Sequence, residues 1–406
     1  MAGVTERQTR QASRLVGVDA ARGLALLGMM AIHILPGWTE DFQPTATWEI
    51  FAGSSAALFA FLAGVSLSFS SGRSRPATGR TLTAARVGLA VRALIIATLG
   101  LLLGQLDPPA AVILTYYGML FLMAIPLLGL GPKTLGCLAA GFAIIGPYLM
   151  QQFSRRLPDL EGYDPSVTAL FTEPGAVLSA IMFTGSFPAV PWMAYICAGL
   201  AVGRLDLRAL DTQIRMMIAG AVVAVAAWLL SLLLLGPLGG LERLIELSPN
   251  MGEEGVHDML TWGPSFGLPT STGWWLTIMA PYSNTPLEIL NTLGTAAVAL
   301  GAALMLGRKA PLALAPLSII GGMTLTLYSA HVAFLATGWL SDTPYLSLPV
   351  QVAAAILFTV LWRNITGTPR GPLERLVASA STAARNRVLR PVAESSQLTR
   401  EAGPES

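Results

Sequence analysis

The chain has 406 residues, of which 53% are hydrophobic and 12% are charged, with a net charge of +2 and a mean hydropathy of +0.61. An ordinary soluble domain is about 25% charged. Together with apolar blocks of roughly 20 residues, this composition excludes a soluble globular protein, a disordered protein and a disulfide scaffold, and it predicts an all-α polytopic membrane protein.

Ten apolar blocks are long enough to cross a bilayer. The predicted spans are 15–36, 47–71, 83–106, 111–130, 133–151, 176–203, 213–236, 286–306, 312–339 and 346–365. The sixth contains Pro188 and Pro191, so it could divide and raise the number of spans to eleven.

These spans define the domain boundaries. A transmembrane domain over 15–375 follows an N-terminal tail of residues 1–14 and precedes a tail over 376–406. The second tail is rich in Ala, Ser, Arg and Glu, which predicts a surface helix followed by disorder. Long external segments are predicted at about 152–175 and 237–285.

Basic residues set the predicted orientation. Twenty of the 25 Lys and Arg residues fall in segments that are cytoplasmic when the N-terminus is cytoplasmic. Short cytoplasmic loops are enriched in Lys and Arg. The sequence therefore predicts that both termini face the cytoplasm, in a multi-pass protein of the inner (plasma) membrane.

The first span contains three polar side chains. Asp19 and Arg22 are three residues apart, so they are neighbours on one helix face. Arg22 and His33 are 11 residues apart, which is about 20° from three full turns and about 16 Å along the helix. Charged and polar residues inside a membrane are usually functional, although an ion pair that stabilises packing and an interfacial histidine would explain the same pattern.

The second and third spans add two charged residues. Glu49 begins the second span at a depth close to that of His33, where a carboxylate could orient an imidazole or serve only as a helix-start acid. Arg92 lies inside the third span and either reaches back to the cytoplasm or offers a cation to a phosphate.

Further along the chain, Tyr117 precedes Gly118 in the middle of the fourth span, and Trp192 lies near the predicted break in the sixth. Asn284 comes just before the eighth span on the external side. These three residues are candidate substrate contacts, and an interfacial position near a helix end would explain Trp192 equally well.

The ninth span has a second polar stripe. Thr324, Tyr328 and His331 are spaced by four and three residues, so they share one helix face. His331 is predicted in the external half of its span, like His33. The two histidines are therefore candidates for one shared cavity, while interhelical hydrogen bonds would explain Tyr328 and His331 equally well.

Other ligands have little support in the sequence. Cys137 and Cys197 both lie in apolar spans, and the three histidines do not form a metal-binding motif. No basic stretch has the density of a nucleic-acid site. Membrane lipids are expected partners, and the sequence is compatible with a homodimer without requiring one.

Several stretches resemble one family. The chain is similar to the transmembrane acyltransferase superfamily, and within it to bacterial members of the heparan-α-glucosaminide N-acetyltransferase-like branch. The matching stretches are 18–24 followed by His33, 58–67, 113–118, 187–195 with Gly199 and 203–205, 325–331, and 371–374.

The resemblance implies that an acyl group, expected to be acetyl, moves from cytoplasmic acyl-CoA to a hydroxyl or amine of an envelope sugar or glycolipid on the external face. In the related O-acyltransferase branch, an essential Arg and His at this spacing correspond to Arg22 and His33. The lysosomal branch instead places its proposed catalytic His in the first lumenal loop, and residues 37–46 contain none.

We therefore predict an acyl-CoA-dependent acyltransferase in which His33 is the general base or carries the acyl group. Arg22 and Arg92 would bind CoA phosphates, with Asp19 holding Arg22, and His331 and Tyr328 would line the cavity, with Tyr328 contacting the substrate. The alternatives are a transporter or flippase for an anionic lipid or small solute, in which the arginines and histidines form the pathway, and a non-catalytic membrane scaffold.

Overall fold

The computed structural model describes residues 15–162, 164–264 and 267–390. Within these ranges the protein is helical, and its only β-type pairing is an isolated bridge between Trp38 and Pro44. The all-α class predicted from the sequence is confirmed.

Seventeen α-helices are numbered here in chain order across the described residues. They are α1 (Val16–Ile34), α2 (Ala46–Phe51), α3 (Ser54–Ser70), α4 (Gly79–Gly104), α5 (Ile113–Ala124), α6 (Pro132–Ser154), α7 (Val167–Thr172), α8 (Pro174–Ser179), α9 (Ala189–Gly203), α10 (Leu210–Leu235), α11 (Gly240–Glu246), α12 (Gly252–Trp262), α13 (Pro286–Lys309), α14 (Ala315–Ile320), α15 (Thr324–Leu335), α16 (Pro344–Thr366) and α17 (Pro372–Leu389).

Every predicted span contains a helix or a pair of helices, but they are not equally long. In the described part of the chain, seven helical segments are long and apolar enough to cross a membrane, or eight if one bent pair counts as a single crossing. The helical segment Ile113–Gly129, which includes α5, and α15 are apolar but shorter. The protein is therefore multi-pass, and the total of ten crossings stays a prediction.

Three predicted spans are interrupted. The sixth bends by 50° between the segments Pro174–Thr184 and Ala189–Gly203, beside Pro188, as its prolines predicted. The spans predicted over 47–71 and 312–339 each contain two helices with a break between them. The first breaks at Gly53, whose φ of 69° is a backbone angle that glycine adopts readily and other residues rarely adopt. The second breaks between α14 and α15.

Helix α1 lies in the middle of the bundle, packed against α3, α13, α14, α15 and α16. Glycines allow its close contact with α14. A Cβ added at Gly321 would overlap the backbone oxygen of Asp19, and one at Gly23 would overlap that of Leu317. The backbones therefore meet directly, as is common between membrane helices.

The two ends of the bundle differ in chemistry. We call the end at which α1 begins the basic end, because Arg204, Arg208 and Arg308 lie there, and we call the opposite end the histidine end. The described part of 237–285 packs at the histidine end, where Trp48 Nε1 donates to the carbonyl oxygen of Thr261 at 3.2 Å. This segment has its own apolar cluster, which includes Leu244, Val256, Trp275 and Ile278.

The C-terminal part forms α17, which begins at Pro372 rather than at 376 and packs along α4. Glu374 accepts hydrogen bonds from the N–H groups of Leu325 and Thr326, so its carboxylate caps the start of α15. The predicted N-terminal tail and the disorder predicted for the end of the C-terminal tail fall on 1–14 and 391–406, which lie outside the described residues.

A carboxylate in the predicted external segment 152–175 holds the beginning of α5. Asp164 Oδ2 accepts the N–H of Val112 at 2.9 Å, while Oδ1 is buried with no hydrogen bond to any described residue. Burial raises the pKa of Asp164 to about 7; the Val112 N–H lowers it and the nearby charge of Asp107 raises it further.

This pKa predicts that the folded protein loses stability as the pH rises. The folded state keeps the Asp164 proton up to a pH of about 7, whereas the unfolded chain releases it near 3.8, so the cost grows between these values and is complete above 7. Asp164→Asn keeps an acceptor for Val112 without the charge. We expect it to raise Tm more at pH 8 than at pH 5, measured by thermal unfolding in detergent.

The exposed Asp159→Asn variant is the matched control, and its Tm should follow the unmodified protein at both pH values. An equal Tm change at pH 5 and pH 8 for Asp164→Asn would contradict the prediction.

Candidate active site

Two histidines from distant parts of the chain meet at the histidine end. His33 Nδ1, near the end of α1, lies 3.1 Å from His331 Nε2 on α15. The ring planes are 4° apart and the centroids are separated by 5.3 Å. This is the separation of two rings joined edge to edge, so the N–H···N bond lies close to both ring planes.

An amide determines how this pair shares its protons. His331 Nδ1 lies 2.7 Å from Oε1 of Gln351 on α16, and Nε2 of Gln351 donates to Oγ of Ser347 at 3.0 Å. Because an amide oxygen only accepts hydrogen bonds, His331 Nδ1 carries the proton and its Nε2 is the acceptor for His33 Nδ1–H. The lone pair of a neutral His33 is therefore on Nε2.

That nitrogen has a pocket beside it. Nε2 of His33 makes no hydrogen bond with the described residues, and His33 lines a small pocket of about 20 Å³. Tyr328, Tyr282 and Phe187 line it as well. The pocket therefore has room beside the His33 ring for a group of about the size of a water molecule, such as a hydroxyl or an amine.

Two predicted tyrosines have different environments. The Tyr328 hydroxyl accepts the N–H of Ile113 at 3.1 Å and donates to the carbonyl oxygen of Ala111 at 3.3 Å, so it holds one wall of the pocket. Tyr117 is buried between the rings of Phe59 and Phe121, and its hydroxyl has no hydrogen-bond partner in the described part of the chain. Tyr117 does not line the pocket.

Trp192 and Asn284 contact each other. Trp192 Nε1 donates to Asn284 Oδ1 at 2.6 Å, and Asn284 Nδ2 donates to the carbonyl oxygen of Tyr282 at 3.0 Å. Both side chains are buried and neither lines the pocket, whereas Tyr282 does. Trp192 and Asn284, which were predicted to contact the substrate, therefore hold the loop that presents Tyr282 to the pocket.

Glu49 does not orient His33. It is exposed on the short helix α2, while His33 Nδ1 faces His331. A common depth in the membrane was the basis for pairing Glu49 with His33, but depth does not fix the direction in which a side chain points. His331 and Gln351 have the orienting position that the sequence assigned to this carboxylate.

The other end of the α1 stripe contains the predicted ion pair. Arg22 Nη1 contacts Asp19 Oδ1 at 2.8 Å, and Nη2 contacts Oγ of Ser66 on α3 at 2.5 Å. The Arg22 side chain is 24% exposed and that of Asp19 is 8% exposed. Two fixed contacts orient the guanidinium group and leave part of it accessible.

Arg92 lies near the Arg22 guanidinium, and its positive charge is less compensated by nearby negative charge. Its guanidinium carbon lies 5.0 Å from the centroid of the Phe121 ring, and its buried Nε has no hydrogen-bond partner among the described residues. Arg22 and Glu374 are within electrostatic range of Arg92. In the described chain Arg92 forms no salt bridge, so its positive charge is available to a buried anion.

The arginine and histidine groups lie on one continuous helix. Helix α1 is unbroken from Val16 to Ile34, so the face shared by Arg22 and His33 is kept, with about 16 Å between the two positions along the axis. The shared stripe of Tyr328 and His331 is likewise contained in one helix, α15.

Three residues of this arrangement were not among the predicted site residues: Gln351, Ser347 and Ser66. A signal for two of them exists in the sequence, because Ser347, Gln351, Ala355 and Thr359 recur every fourth residue and are all buried on α16. Ser66 lies in one of the family-like stretches, but nothing in its local sequence indicates that it contacts Arg22. Within the described chain, no group of three or more His, Cys, Asp or Glu side chains could hold a metal ion.

Comparison with known protein families identifies the family of the chain. The family model for heparan-alpha-glucosaminide N-acetyltransferase, catalytic, matches residues 14–233. No curated protein matches the chain. The matched region is more than half of the 406 residues and contains Arg22, His33 and Arg92, while His331 and Gln351 lie beyond it. The chain therefore belongs to the heparan-α-glucosaminide N-acetyltransferase family of membrane acetyltransferases.

Proposed function

We propose that the protein transfers an acetyl group from acetyl-CoA, bound from the basic end, to an amine or hydroxyl of an envelope sugar or glycolipid at the histidine end. The observation that carries this proposal is the His33–His331–Gln351 chain, which leaves His33 Nε2 as a base beside the pocket. Family membership supports acetyl transfer over transport of a lipid or solute.

The chemistry follows from the proton positions. His33 Nε2 takes the proton of the acceptor amine or hydroxyl as that group attacks the thioester carbonyl. A C–N or C–O bond forms, the C–S bond breaks, and the CoA thiolate takes up a proton as it leaves. The positive charge that develops on His33 is stabilised by its Nδ1–H bond to the lone pair of His331.

The donor's charges match the basic end. CoA phosphates are anionic, and Arg22 and Arg92 lie within electrostatic range of each other. Asp19 and Ser66 orient Arg22, so its planar guanidinium group is positioned to bind a phosphate through its N–H groups. The proposed route of the acetyl group then follows the Arg22 face of α1 toward His33.

Aromatic rings above the pocket suit a sugar. The Trp262 ring centroid lies 6.3 Å from that of Trp38 and 5.5 Å from that of Trp48, and Trp48 in turn packs 6.2 Å from the pocket residue Tyr282. Trp38 is 58% exposed. Exposed indole faces offer a large apolar surface with few rotatable bonds, on which a sugar ring can stack.

The orientation follows the charge distribution. We propose that the basic end faces the cytoplasm, where acetyl-CoA is made, and that the histidine end faces the outside of the plasma membrane. The loop arginines at the basic end support this assignment through the positive-inside rule.

The base role of His33 predicts a selective loss of transfer. His33→Ala should lower acetyl transfer by at least about 100-fold while the protein still folds and binds acetyl-CoA, because a positioned base contributes roughly that factor or more. The assay uses purified protein, radiolabelled acetyl-CoA and methyl α-glucosaminide. His257→Ala changes the remaining histidine, which is exposed on α12, and it should keep full activity.

The same series tests the relay. Gln351→Leu removes the acceptor that fixes the His331 proton, so it should lower transfer by more than about tenfold but less than His33→Ala. Gln351→Glu restores an acceptor and should recover part of the rate. Near-normal turnover by folded His33→Ala would remove this residue as the base, and equal activity of both Gln351 variants would remove the relay.

The donor role of Arg22 predicts a change in one Michaelis constant. Arg22→Lys keeps the charge but loses the planar fork that can bind a phosphate through two N–H groups. We expect KM for acetyl-CoA to rise at least about tenfold, while KM for the glucosaminide changes less.

Arg215→Lys, at an exposed site on α10, should leave both constants unchanged. If the contacts of Arg22 with Asp19 and Ser66 only stabilise packing, Arg22→Lys will lower Tm without raising KM for acetyl-CoA, which would contradict the proposed role.

A further inference from the structure

A second pocket opens at the basic end, between the start of α1, the α9–α10 connection and the end of α13. Its volume is about 300 Å³, and its lining includes Gly17, Arg208, Gln213 and Arg308. Gly17 and Arg22 are five residues apart, which is about 140° around α1. The pocket therefore faces away from the Arg22 side of the helix.

Its lining favours an anion. Leu15 is the N-cap residue of α1, and its apolar side chain makes no capping hydrogen bond. Because Leu15, Val16 and Gly17 line the pocket, the positive end of this 19-residue helix faces it. Arg208 and Arg308 add two guanidinium groups, and Nη1 of Arg308 donates to the carbonyl oxygen of Arg208 at 2.9 Å, which keeps the two residues together.

A buried acceptor in the same pocket defines the ligand further. Gln213 is 1% exposed, and its Nε2 donates to the carbonyl oxygen of Leu207 at 2.8 Å. That bond fixes the orientation of the amide, because a flipped amide would place two oxygens together. Oε1 of Gln213 is buried without a hydrogen-bond donor from the described residues. A ligand that satisfies the whole pocket has both an anionic group and a nearby N–H or O–H group.

The surroundings indicate where this ligand comes from. Helix α10 begins beside the pocket. Only 22% of the residues in its most apolar stretch are buried inside the protein, against 67% in the corresponding stretch of α1. Leu210 and Ile214 on α10 and Leu306 on α13 are exposed next to pocket residues. Exposed apolar side chains below a pair of arginines at the end of a membrane span match a lipid whose headgroup lies at the membrane surface.

We propose that this pocket binds the headgroup of a membrane glycerophospholipid whose headgroup can donate a hydrogen bond. The phosphate lies between Arg208, Arg308 and the first N–H groups of α1, and a glycerol hydroxyl or an ethanolamine ammonium donates to Gln213 Oε1. The acyl chains lie along the exposed side of α10. This site is separate from the proposed acetyl-transfer path and does not depend on it.

The test compares lipids by native mass spectrometry. The full-length protein in detergent is incubated with equal amounts of phosphatidylglycerol, phosphatidylethanolamine and phosphatidylcholine, and retained lipids are counted. We expect one phosphatidylglycerol or phosphatidylethanolamine to be retained in preference to phosphatidylcholine, whose headgroup has no N–H or O–H donor. Retention of all three lipids in equal amounts would overturn the proposal.

Variants locate the bound lipid. Arg308→Gln should lower phosphatidylglycerol retention by about tenfold or more, because a charge-assisted contact with the phosphate is lost. Arg215→Gln, an exposed arginine elsewhere on α10, should leave it unchanged. Gln213→Met keeps both pocket arginines and should remove the preference for phosphatidylglycerol over phosphatidylcholine. Unchanged retention by a folded Arg308→Gln variant, or an equal loss in Arg215→Gln, would overturn the proposal.

Soluble ligands distinguish a lipid site from other phosphate sites. Coenzyme A, glycerol 3-phosphate and inorganic phosphate are each added to the lipid-bound protein. None should displace the lipid, because none has acyl chains that contact α10. Displacement by coenzyme A would identify a nucleotide pocket, and displacement by either small phosphate would identify a soluble anion site; each result overturns the lipid assignment.

Discussion

The hydrogen bond between two imidazoles inside the helical bundle constrains the rest of the structure. His33 and His331 are separated by nearly 300 positions in sequence, so their 3.1 Å contact requires α1, α15 and α16 to meet at one depth. The glycine contacts between α1 and α14 bring the backbones close enough for this. Gln351 orients the pair without a buried carboxylate, which would have to be desolvated in the membrane.

The distribution of charge complements this neutral pair. Two arginines lie toward the basic end, where Asp19 orients Arg22 and where Arg92 forms no salt bridge with the described residues. In the proposed function, a negatively charged donor gains most where it enters, and the acetyl group, which has no charge, is the part that reaches the histidines. The same end has a second basic pocket on the other side of α1, so one helix separates the proposed donor route from the proposed lipid site.

The sequence predicted the helices better than their breaks. Long apolar blocks mark membrane helices strongly, so α1, α4, α6, α10, α13 and α16 begin and end within a few residues of the predictions. Pro188 predicted one break, because proline removes a hydrogen bond of the helix. The break at Gly53 depends on a left-handed backbone conformation, and the start of α15 depends on capping by Glu374 from 49 residues further along the chain, so neither has a local signal.

The site was predictable in part for a similar reason. Helical periodicity identified the Arg22–His33 face and the Tyr328–His331 stripe, because positions on one helix are fixed by 3.6 residues per turn. Partners on other helices depend on how each helix is rotated about its axis, which spacing does not give. For that reason the sequence offered Glu49 as the partner of His33 and did not identify Gln351, which the structure places on the far side of His331.

The proposed function requires that the protein bind acetyl-CoA at one membrane face and acetylate an acceptor at the other. Sealed proteoliposomes separate the two substrates, with methyl α-glucosaminide trapped inside and radiolabelled acetyl-CoA, which does not cross the bilayer, added outside. We expect labelled acetyl-glucosaminide inside the vesicles, and none in vesicles made with His33→Ala. Product that forms only when the donor and the acceptor share a compartment would contradict it.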